Sequence, residues 1–418
     1  METQTNVHTA QLIIHRATHE IGGNCVEISD DKTRLLFDFG LPLYSIKEQL
    51  PARHYRLPLA GVYSDQTPQI NAVFLTHAHP DHYGLLAELH PKIPVYASQT
   101  TINLLQQIAP LLGTSLAHLH FIALKNNQTI KQGKMTVKAL NVDHSVPEAL
   151  AYQITVGKKR ILYTGDLRAH GKCGYLTKKL ARSTSPDYLL MEGTTLSRPH
   201  KQADTENTLQ VHLEKLLSGP RLPVIYFSAQ NLDRFVSVYK AARRLHKTLV
   251  IDPYTCFVLE QFAHLGKSIP QWHWPNIRVY FAANSLTSKL SEHKFIYKSK
   301  KITLSEILKS PRQYIIKDNF TLRRNLLKHT QNLHLIHSAW EGYLEQTDNS
   351  FKQDAVQYLL PLTVLHTSGH ADFKTLHALV QQLRPKLLIP IHTARASDYQ
   401  NLFQFPNRIL QDGEIFYF

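Results

Sequence analysis

Residues 76–82 read Thr-His-Ala-His-Pro-Asp-His and follow directly after the apolar run Ala-Val-Phe-Leu at residues 72–75. Four metal-binding side chains therefore fall within six residues. Alternate residues of an extended segment point the same way, so His77 and His79 can reach one cation. The apolar run before them predicts that the motif begins at the end of a buried strand.

The second half of this motif can serve a second cation. Asp81 and His82 follow the bend at Pro80, which turns their side chains towards a neighbouring position. Imidazole and carboxylate ligands together suit zinc or a similar borderline ion. Gly84 and the leucines after it predict that a helix follows the motif, which would place the ligands on a strand-to-helix turn.

The spacing His-x-His-x-Asp-His resembles the second motif of the metallo-β-lactamase superfamily of binuclear metallohydrolases. Later residues narrow the resemblance to the β-CASP nucleases, the group that includes ribonuclease J. Residues 364–371 resemble motif B and contain His370, and residues 387–393 resemble motif C, a strand that ends in His392. Glu192 resembles motif A, although Gly193 stands where the family usually has a serine or a similar small residue.

This resemblance implies a complete set of ligands for two metals. Two Zn²⁺ ions per chain are expected, with Mn²⁺ and Mg²⁺ as alternatives. An aspartate at the end of an early strand, Asp38, is expected to brace the metal loop without binding metal. The first metal would take His77, His79, His144 and Asp166, and the second would take Asp81, His82, Asp166 and His392.

The same resemblance implies roles in catalysis and substrate binding. Asp81, His370 and Glu192 are the candidate catalytic residues. His370 would donate a hydrogen bond to the scissile phosphate, and Glu192 would orient the imidazole of His370 from behind. Apart from the resemblance, Ser228, Ser338 and Ser368 are candidates for the lining of a terminal-phosphate pocket, if the protein has one.

The resemblance also implies a fold, an αββα metallo-β-lactamase sandwich interrupted by an α/β β-CASP domain. Residues 1–196 and 362–418 would form the sandwich, and residues 197–361 would form the insertion. Within the insertion, apolar strands alternate with helical patterns, which predicts a parallel sheet covered by helices. The active site is expected between these two domains.

Charge favours a polyanionic partner. The sequence holds 47 Lys and Arg against 32 Asp and Glu, a net charge of +15, although charge alone does not identify a partner. Tyr297 and Tyr314 lie among late cations and could stack on bases, with burial as the alternative. These cations could contact a nucleic-acid backbone or form an ordinary solvated face: Lys294, Lys298, Lys300, Lys301, Arg312, Arg323, Arg324 and Lys328.

The expected function is hydrolysis of single-stranded RNA. DNA is an alternative substrate, but several DNA-directed β-CASP members have valine in motif C where this chain has His392. A small-molecule hydrolase of the superfamily would share the histidine motif but would need neither the insertion nor His370. Endonuclease and 5′-to-3′ exonuclease modes both stay open, as does the oligomeric state, with a homodimer as one option.

The sequence also predicts a compartment. Its three cysteines, Cys25, Cys173 and Cys256, are too few and too scattered for a disulfide framework. The amino terminus lacks the features of a signal peptide, and no apolar run approaches the ~20 residues that span a bilayer. A cytoplasmic protein without a membrane partner is therefore expected.

Overall fold

The computed structural model describes residues 10–198, 203–282, 290, 296–345 and 349–418. The chain divides into two compact units, unit 1 (residues 1–169, 173–202 and 369–418) and unit 2 (residues 170–172 and 203–368). The predicted domain boundaries at 196/197 and 361/362 lie several residues before two of these divisions.

Unit 1 contains a first sheet in the order β20-β1-β2-β3-β4-β5-β6. Strands β3 to β6 are parallel, and the remaining pairs are antiparallel. The strands are β1 (Gln11–Arg16), β2 (Cys25–Ser29), β3 (Arg34–Phe37), β4 (Ala72–Phe74), β5 (Val95–Ser98), β6 (Phe121–Leu124) and β20 (Ile415–Tyr417).

The second sheet of unit 1 has the order β19-β11-β10-β9-β8-β7. Strands β8, β10, β11 and β19 run in one direction, because β9 is antiparallel to both of its neighbours and β10, β11 and β19 are parallel. The strands are β7 (Thr129–Gln132), β8 (Met135–Asn141), β9 (Leu150–Val156), β10 (Lys159–Tyr163), β11 (Tyr188–Glu192) and β19 (Leu387–Ile391).

The two sheets of unit 1 pack face to face. Their inner faces share one core, in which side chains of β1 to β4 meet side chains of β8 to β11 and β19. The outer face of each sheet has a second apolar cluster, formed on the second sheet with helices near residues 180, 380 and 400. This layering confirms the predicted αββα sandwich.

Unit 2 is built around a parallel sheet in the order β15-β14-β13-β16-β12-β17-β18. It confirms the prediction drawn from alternating strand and helix patterns. The strands are β12 (Leu222–Tyr226), β13 (Thr248–Ile251), β14 (Ile277–Tyr280), β15 (Lys301–Ile302), β16 (Tyr314–Lys317), β17 (Leu333–His337) and β18 (Leu362–Val364).

The helices cover these sheets and begin with the expected capping residues. Thr205, Asn231 and Asp252 each accept a backbone hydrogen bond at the start of a helix. The helices of the described residues are α1 (Ser45–Glu48), α2 (Pro80–Tyr83), α3 (Gln99–Asn103), α4 (Tyr175–Ser183), α5 (Glu206–Leu217), α6 (Leu232–Arg244), α7 (Pro253–Glu260), α8 (Leu304–Lys309), α9 (Phe320–Leu327), α10 (Ser350–Gln357), α11 (Phe373–Leu383) and α12 (Tyr399–Phe403).

The helix next to the histidine motif differs from the prediction. A helix was expected after Gly84, but α2 begins inside the motif at Pro80 and ends at Tyr83. Proline is favoured at the first position of a helix, because its fixed φ suits the helix and its missing N–H is not needed there. The leucines after Gly84 form only a single 3₁₀ turn, Leu86–Glu88.

Within the described ranges, no helix combines the length and the apolar character that a membrane span requires.

Candidate metal centre

Strand ends position the candidate ligands in unit 1. His77 and His79 follow β4 of the first sheet, and His144 follows β8 of the second sheet. Asp166 follows β10, and His392 is the first residue after β19. Because β8, β10 and β19 run in one direction, their carboxyl ends lie at the same edge of the second sheet, where sites are commonly built.

The first donor group consists of His77, His79, His144 and Asp166, whose ligand atoms lie within 4.8 Å of one another. His79 Nδ1 is 2.9 Å from His77 Nε2 and 3.3 Å from His144 Nε2. Asp166 Oδ2 lies 3.6 Å from His77 Nε2. The donor atoms of a tetrahedral zinc site are roughly 3.3 Å apart, so this spacing suits one such ion.

A second donor group consists of Asp81, His82 and His392. Asp81 Oδ2 is 3.8 Å from the Nε2 atoms of both histidines. Asp166 connects the two groups, because its Oδ2 lies 3.2 Å from His82 Nε2 and 3.6 Å from His77 Nε2. A third overlapping group joins Asp166, His370 and His392.

Three atoms at this position are buried without a hydrogen-bond partner among the described residues, namely His82 Nε2, His392 Nε2 and Asp166 Oδ1. All three residues are almost completely buried. Leaving buried polar atoms unsatisfied costs free energy, so native structures rarely keep them without a reason. A bound cation would satisfy all three atoms, and these residues therefore fit a metal.

In three of the imidazoles the nitrogen that faces away from the donor groups is held by the protein. His82 Nδ1 donates to Asp38 Oδ2 at 2.7 Å, and His392 Nδ1 donates to Asn24 Oδ1 at 2.7 Å. His144 Nδ1 donates to the Gly369 carbonyl at 2.7 Å. These bonds place the proton on the outer nitrogen and leave the inner nitrogen free to bind a cation, as in many metal sites.

Asp38 is the centre of the supporting network. Its carboxylate accepts hydrogen bonds from the Thr76 backbone N–H at 2.7 Å and from the Tyr163 hydroxyl at 2.8 Å, besides the one from His82. Asp38 and His392 both have positive φ, +59° and +54°, which is unusual for residues other than glycine. The predicted bracing position of Asp38 therefore matches its contacts.

Burial shapes the protonation of the first donor group. Burial and the neighbouring imidazoles hold the pKa of His77 well below its ordinary value, and burial does the same for His144. Burial also lowers the pKa of His79 to about 4. These imidazoles are therefore neutral near pH 7, which is the form that binds metal.

The second group carries charge. Burial lowers the pKa of His82, but the carboxylates of Asp166 and Asp38 outweigh burial and raise it well above its ordinary value. Burial raises the pKa of Asp166, but His392 and His82 outweigh it and hold this pKa well below the usual range. A cation at this position would displace the proton from His82, because ligands bind metal in their deprotonated form.

Two predicted catalytic residues lie together beside the donor groups. Glu192 Oε2 is 3.0 Å from His370 Nδ1, and Glu192 Oε1 accepts the backbone N–H of Leu167 at 3.0 Å. Burial lowers the pKa of His370, but Glu192 and Asp166 outweigh it and raise the pKa to about 9. His370 is 20% exposed, whereas Glu192 is buried.

The three predicted phosphate-binding serines lie in unit 2. Ser228 is exposed and follows β12, and Ser368 is partly buried. Ser338 is buried, where its hydroxyl accepts from Arg234 Nη1 and donates to the Leu365 carbonyl at 2.6 Å. That hydroxyl already has two protein partners.

One arginine of the late basic run is buried. Arg323 is a candidate for phosphate contact in the sequence, but it is 1% exposed and forms ion pairs with Asp318 and with Asp354, the latter at 2.7 Å. Tyr297 is fully buried. Its ring therefore packs inside the fold and cannot stack on a base. Lys294 lies outside the described residues.

The sequence did not reveal three residues that support the ligands. Asn24 binds His392 through Oδ1 and donates to the Tyr163 hydroxyl at 2.9 Å. Tyr163 in turn donates to Asp38, so one chain of hydrogen bonds connects His392 with His82. Thr76 holds Asp38 through its backbone and its hydroxyl. The position of Thr76 inside the motif is the one signal that could have indicated such a role.

Family models match two parts of the chain. The β-lactamase superfamily domain matches residues 33–216, which contain the histidine motif, His144, Asp166 and Glu192. The RNA specificity domain of Zn-dependent metallo-hydrolases matches residues 362–407, which contain His370 and His392. Together they support a metal cofactor.

The chain is also similar to curated proteins and to a solved structure. It is 24% identical over 367 residues to ribonuclease J of Sinorhizobium meliloti, a match that covers 82% of this chain and 61% of that protein. It is 22% identical to ribonuclease J 2 of Streptococcus pyogenes, covering 97% of this chain and 75% of that protein. A protein of unknown function from Enterococcus faecalis shares its fold, with a TM-score of 0.79 and 24% identity over 98% of this chain and all of the other. The chain spans less than two thirds of the S. meliloti relative.

Proposed function

Since the chain is a ribonuclease J-like member of the metallo-β-lactamase superfamily, we propose that it is a two-zinc phosphodiesterase that hydrolyses single-stranded RNA. One observation carries this proposal. Nine side chains that suit phosphodiester hydrolysis converge in unit 1, and three of their buried atoms lack a hydrogen-bond partner. The nine are His77, His79, Asp81, His82, His144, Asp166, Glu192, His370 and His392.

The proposed ligand assignment follows the donor groups. His77, His79, His144 and Asp166 would hold one zinc, and Asp81, His82, Asp166 and His392 would hold the other, with Mn²⁺ and Mg²⁺ as alternatives. Bound divalent ions supply Lewis acidity to a water nucleophile and to the oxygens of a phosphodiester. Two divalent ions bring four positive charges against the two carboxylates that bind them, so the centre favours an anionic substrate.

The remaining residues of the site have positioning and donor roles in this proposal. Glu192 holds His370 by its Nδ1 atom, which leaves Nε2 of that imidazole as a hydrogen-bond donor. A protonated His370 would donate to a phosphoryl oxygen as negative charge develops there. Ser228, Ser338 and Ser368 remain candidates for a terminal-phosphate pocket, and Ser228 is the most accessible of them.

RNA is favoured over DNA by the similarity to ribonuclease J and by the match to an RNA specificity domain. A β-CASP DNA nuclease would use the same ligands and remains the second candidate. The sequence has only three cysteines, too few and too scattered for a disulfide framework, so we place this activity in the cytoplasm. The mode of cleavage, endonuclease or 5′-to-3′ exonuclease, is part of the test.

The test uses the purified full chain after zinc supplementation. Labelled single-stranded RNA, single-stranded DNA and duplex DNA of matched sequence are incubated with the wild type and with Asp81→Ala. We expect two zinc ions per chain and fastest cleavage of single-stranded RNA, with loss of cleavage in the variant and after chelation. Faster cleavage of duplex DNA than of RNA would refute the ribonuclease proposal.

A second substrate distinguishes endonuclease from 5′-to-3′ exonuclease cleavage. An RNA strand with a blocked 5′ end should yield internal fragments if the protein is an endonuclease. Complete resistance of the same strand would assign an end-dependent 5′-to-3′ exonuclease. Elemental analysis that finds at most one ion per chain would refute the two-zinc assignment, whatever the substrate.

A further inference from the structure

Eight exposed cations lie at one end of the second sheet of unit 1, the end opposite the donor groups. This cluster is named the basic rim, and it consists of Lys131, Lys134, Lys158, Lys159, Arg160, Arg182, Arg384 and Lys386. None of these residues belongs to the candidate metal centre.

Strand direction brings the basic rim together. Strands β8, β10 and β19 run in one direction, and Lys134, Lys159 and Lys386 stand just before or at their amino ends. Lys131 is near the end of β7, where the pairing of Gln132 with Met135 closes a tight turn. All of these positions therefore lie at the same edge of the sheet.

The helices on the outer face add to the same edge. Arg182 is in the last turn of α4, which leads into β11, and Arg384 directly follows α11, which leads into β19. The carboxyl end of a helix carries partial negative charge, which stabilises cations there. These two arginines extend the basic rim from the edge of the sheet onto the helical layer.

The basic rim is far from the metal centre. In β10 the strand begins at Lys159, and the donor Asp166 comes seven residues later along the chain. An extended chain rises about 3.3 Å per residue, so roughly 20 Å separates the two ends of the sheet. The basic rim therefore cannot contact the phosphate that lies at the donor groups.

Charge at the basic rim is largely unbalanced. Among the described residues, Lys386 is the one rim cation with an ion pair, to Asp187 at 2.9 Å. The turn between β2 and β3 adds Asp30 and Asp31 near this end, together with Lys32. Lys159 lies 5.8 Å above the ring of Tyr188, which packs against Phe416 and Phe418. Asp187 also accepts the backbone N–H of Arg160 at 2.9 Å and interacts with its charge. Six of the eight cations thus face solvent without a carboxylate partner among the described residues.

We propose that the basic rim is a second RNA-binding surface, which holds the backbone of a long strand away from the site of cleavage. The sheet from β19 to β7 is about 24 Å wide, because neighbouring strands are about 4.8 Å apart. A stacked single strand rises about 3.4 Å per nucleotide along its axis, so roughly seven nucleotides would span this width. The identity of the polyanion as RNA rests on the proposed function.

The partly exposed rings beside the basic rim support a nucleic acid over other polyanions. Tyr188, Phe416 and Phe418 form a half-buried aromatic group, and Lys159 lies over the ring of Tyr188. Aromatic faces next to cations bind bases without regard to sequence. A membrane surface would also attract the cations, and the test treats that outcome separately.

The test measures RNA binding in a chain that cannot cleave. In the background His370→Ala, the rim variant Lys134→Glu, Lys158→Glu, Lys159→Glu and Arg384→Glu is compared with a control of equal charge change. That control carries Lys215→Glu, Lys240→Glu, Lys267→Glu and Lys309→Glu, four exposed positions of unit 2. Circular dichroism and zinc content check that both variants are folded.

We expect the rim variant to bind a 30-nucleotide RNA roughly 10- to 100-fold more weakly than its parent at moderate salt. Each phosphate contact contributes about 0.7 to the slope of log affinity against log salt for a single strand, so the slope should fall by about 3. With His370 restored, cleavage of a five-nucleotide RNA should be unchanged, because such a strand cannot reach the basic rim.

Two results would overturn the proposal. Equal affinities and slopes for the rim variant and its parent would do so, and so would an equal loss in the control variant. Loss of binding to vesicles of anionic phospholipid, with RNA binding intact, would assign the surface to a membrane instead. Rim-dependent RNA binding without any cleavage would refute the proposed function and leave the basic rim as an RNA-binding surface.

Discussion

The replacement Asp38→Asn should weaken the second metal site more than the first. The carboxylate of Asp38 accepts hydrogen bonds from Thr76, Tyr163 and His82 and donates none. An asparagine has one acceptor oxygen and one NH₂ group in the same place. In either orientation of the amide, its NH₂ group faces a hydrogen-bond donor that the carboxylate of Asp38 accepted from. That donor then loses its acceptor.

The consequence for His82 is specific. If the NH₂ group faces His82, its Nδ1 atom must become the acceptor and the proton moves to Nε2, the atom that is proposed to bind metal. Loss of such a supporting hydrogen bond commonly costs 10- to 100-fold in metal affinity, which corresponds to about 1.4 to 2.7 kcal/mol. His77 of the first donor group is linked to the same network one bond further away, because the Thr76 hydroxyl lies 3.0 Å from His77 Nδ1 and also contacts Asp38. The affinity of the first site should therefore change less than that of the second.

The assay is zinc stoichiometry in a series of chelator buffers. Asp38→Asn should lose one zinc at roughly 10- to 100-fold lower chelator strength than the wild type and keep the other. Tyr163→Phe removes one bond to the same carboxylate, at 2.8 Å, and should show a smaller change in the same direction. Asp187→Asn is the matched control, because it alters a buried carboxylate at the far end of the sheet. Wild-type retention of both ions in a folded Asp38→Asn chain would refute the reasoning.

Two further changes test other parts of the structure. His370→Ala should keep both metals but lose about 10²- to 10³-fold in single-turnover cleavage, as expected for one lost hydrogen-bond donor; a parallel loss of metal would contradict the role of His370. Glu27→Gln should destabilise the fold above pH 4.5 by about 2 to 3 kcal/mol. Burial raises the pKa of Glu27, but hydrogen bonds from His15 and Arg34 outweigh it and lower the pKa from 4.5 to about 2. A lowered pKa stabilises the fold above pH 4.5, and this stabilisation is lost as the pH falls towards 2. Urea unfolding should therefore show a difference in the free energy of unfolding between the two proteins that disappears over that range. A difference that is independent of pH would contradict this cause.

The sequence predicted the sandwich and the donor residues because their signals are local. The histidine motif packs four donors into one short segment, and strands ending in Asp166 and His392 are readable one at a time. The supporting residues have no such signal. Asn24 and Tyr163 connect His392 to Asp38 across positions far apart in the chain. The sequence around a buried asparagine or tyrosine does not indicate its hydrogen-bond partner.

The positions of the charged residues also could not be predicted from the sequence. The sequence places Arg323 within a basic run, yet in the fold it is buried between Asp318 and Asp354, and its charge is used inside unit 2. The basic rim has the opposite character, because its cations come from turns and helix ends scattered between residues 131 and 386 and form no run. Nearness along the chain predicts nearness in space within one strand or helix, but parallel strands bring together residues that the sequence separates. A surface that binds a polyanion therefore has to be identified from strand direction and from the carboxylates available to each cation, and the basic rim is defined on those two grounds.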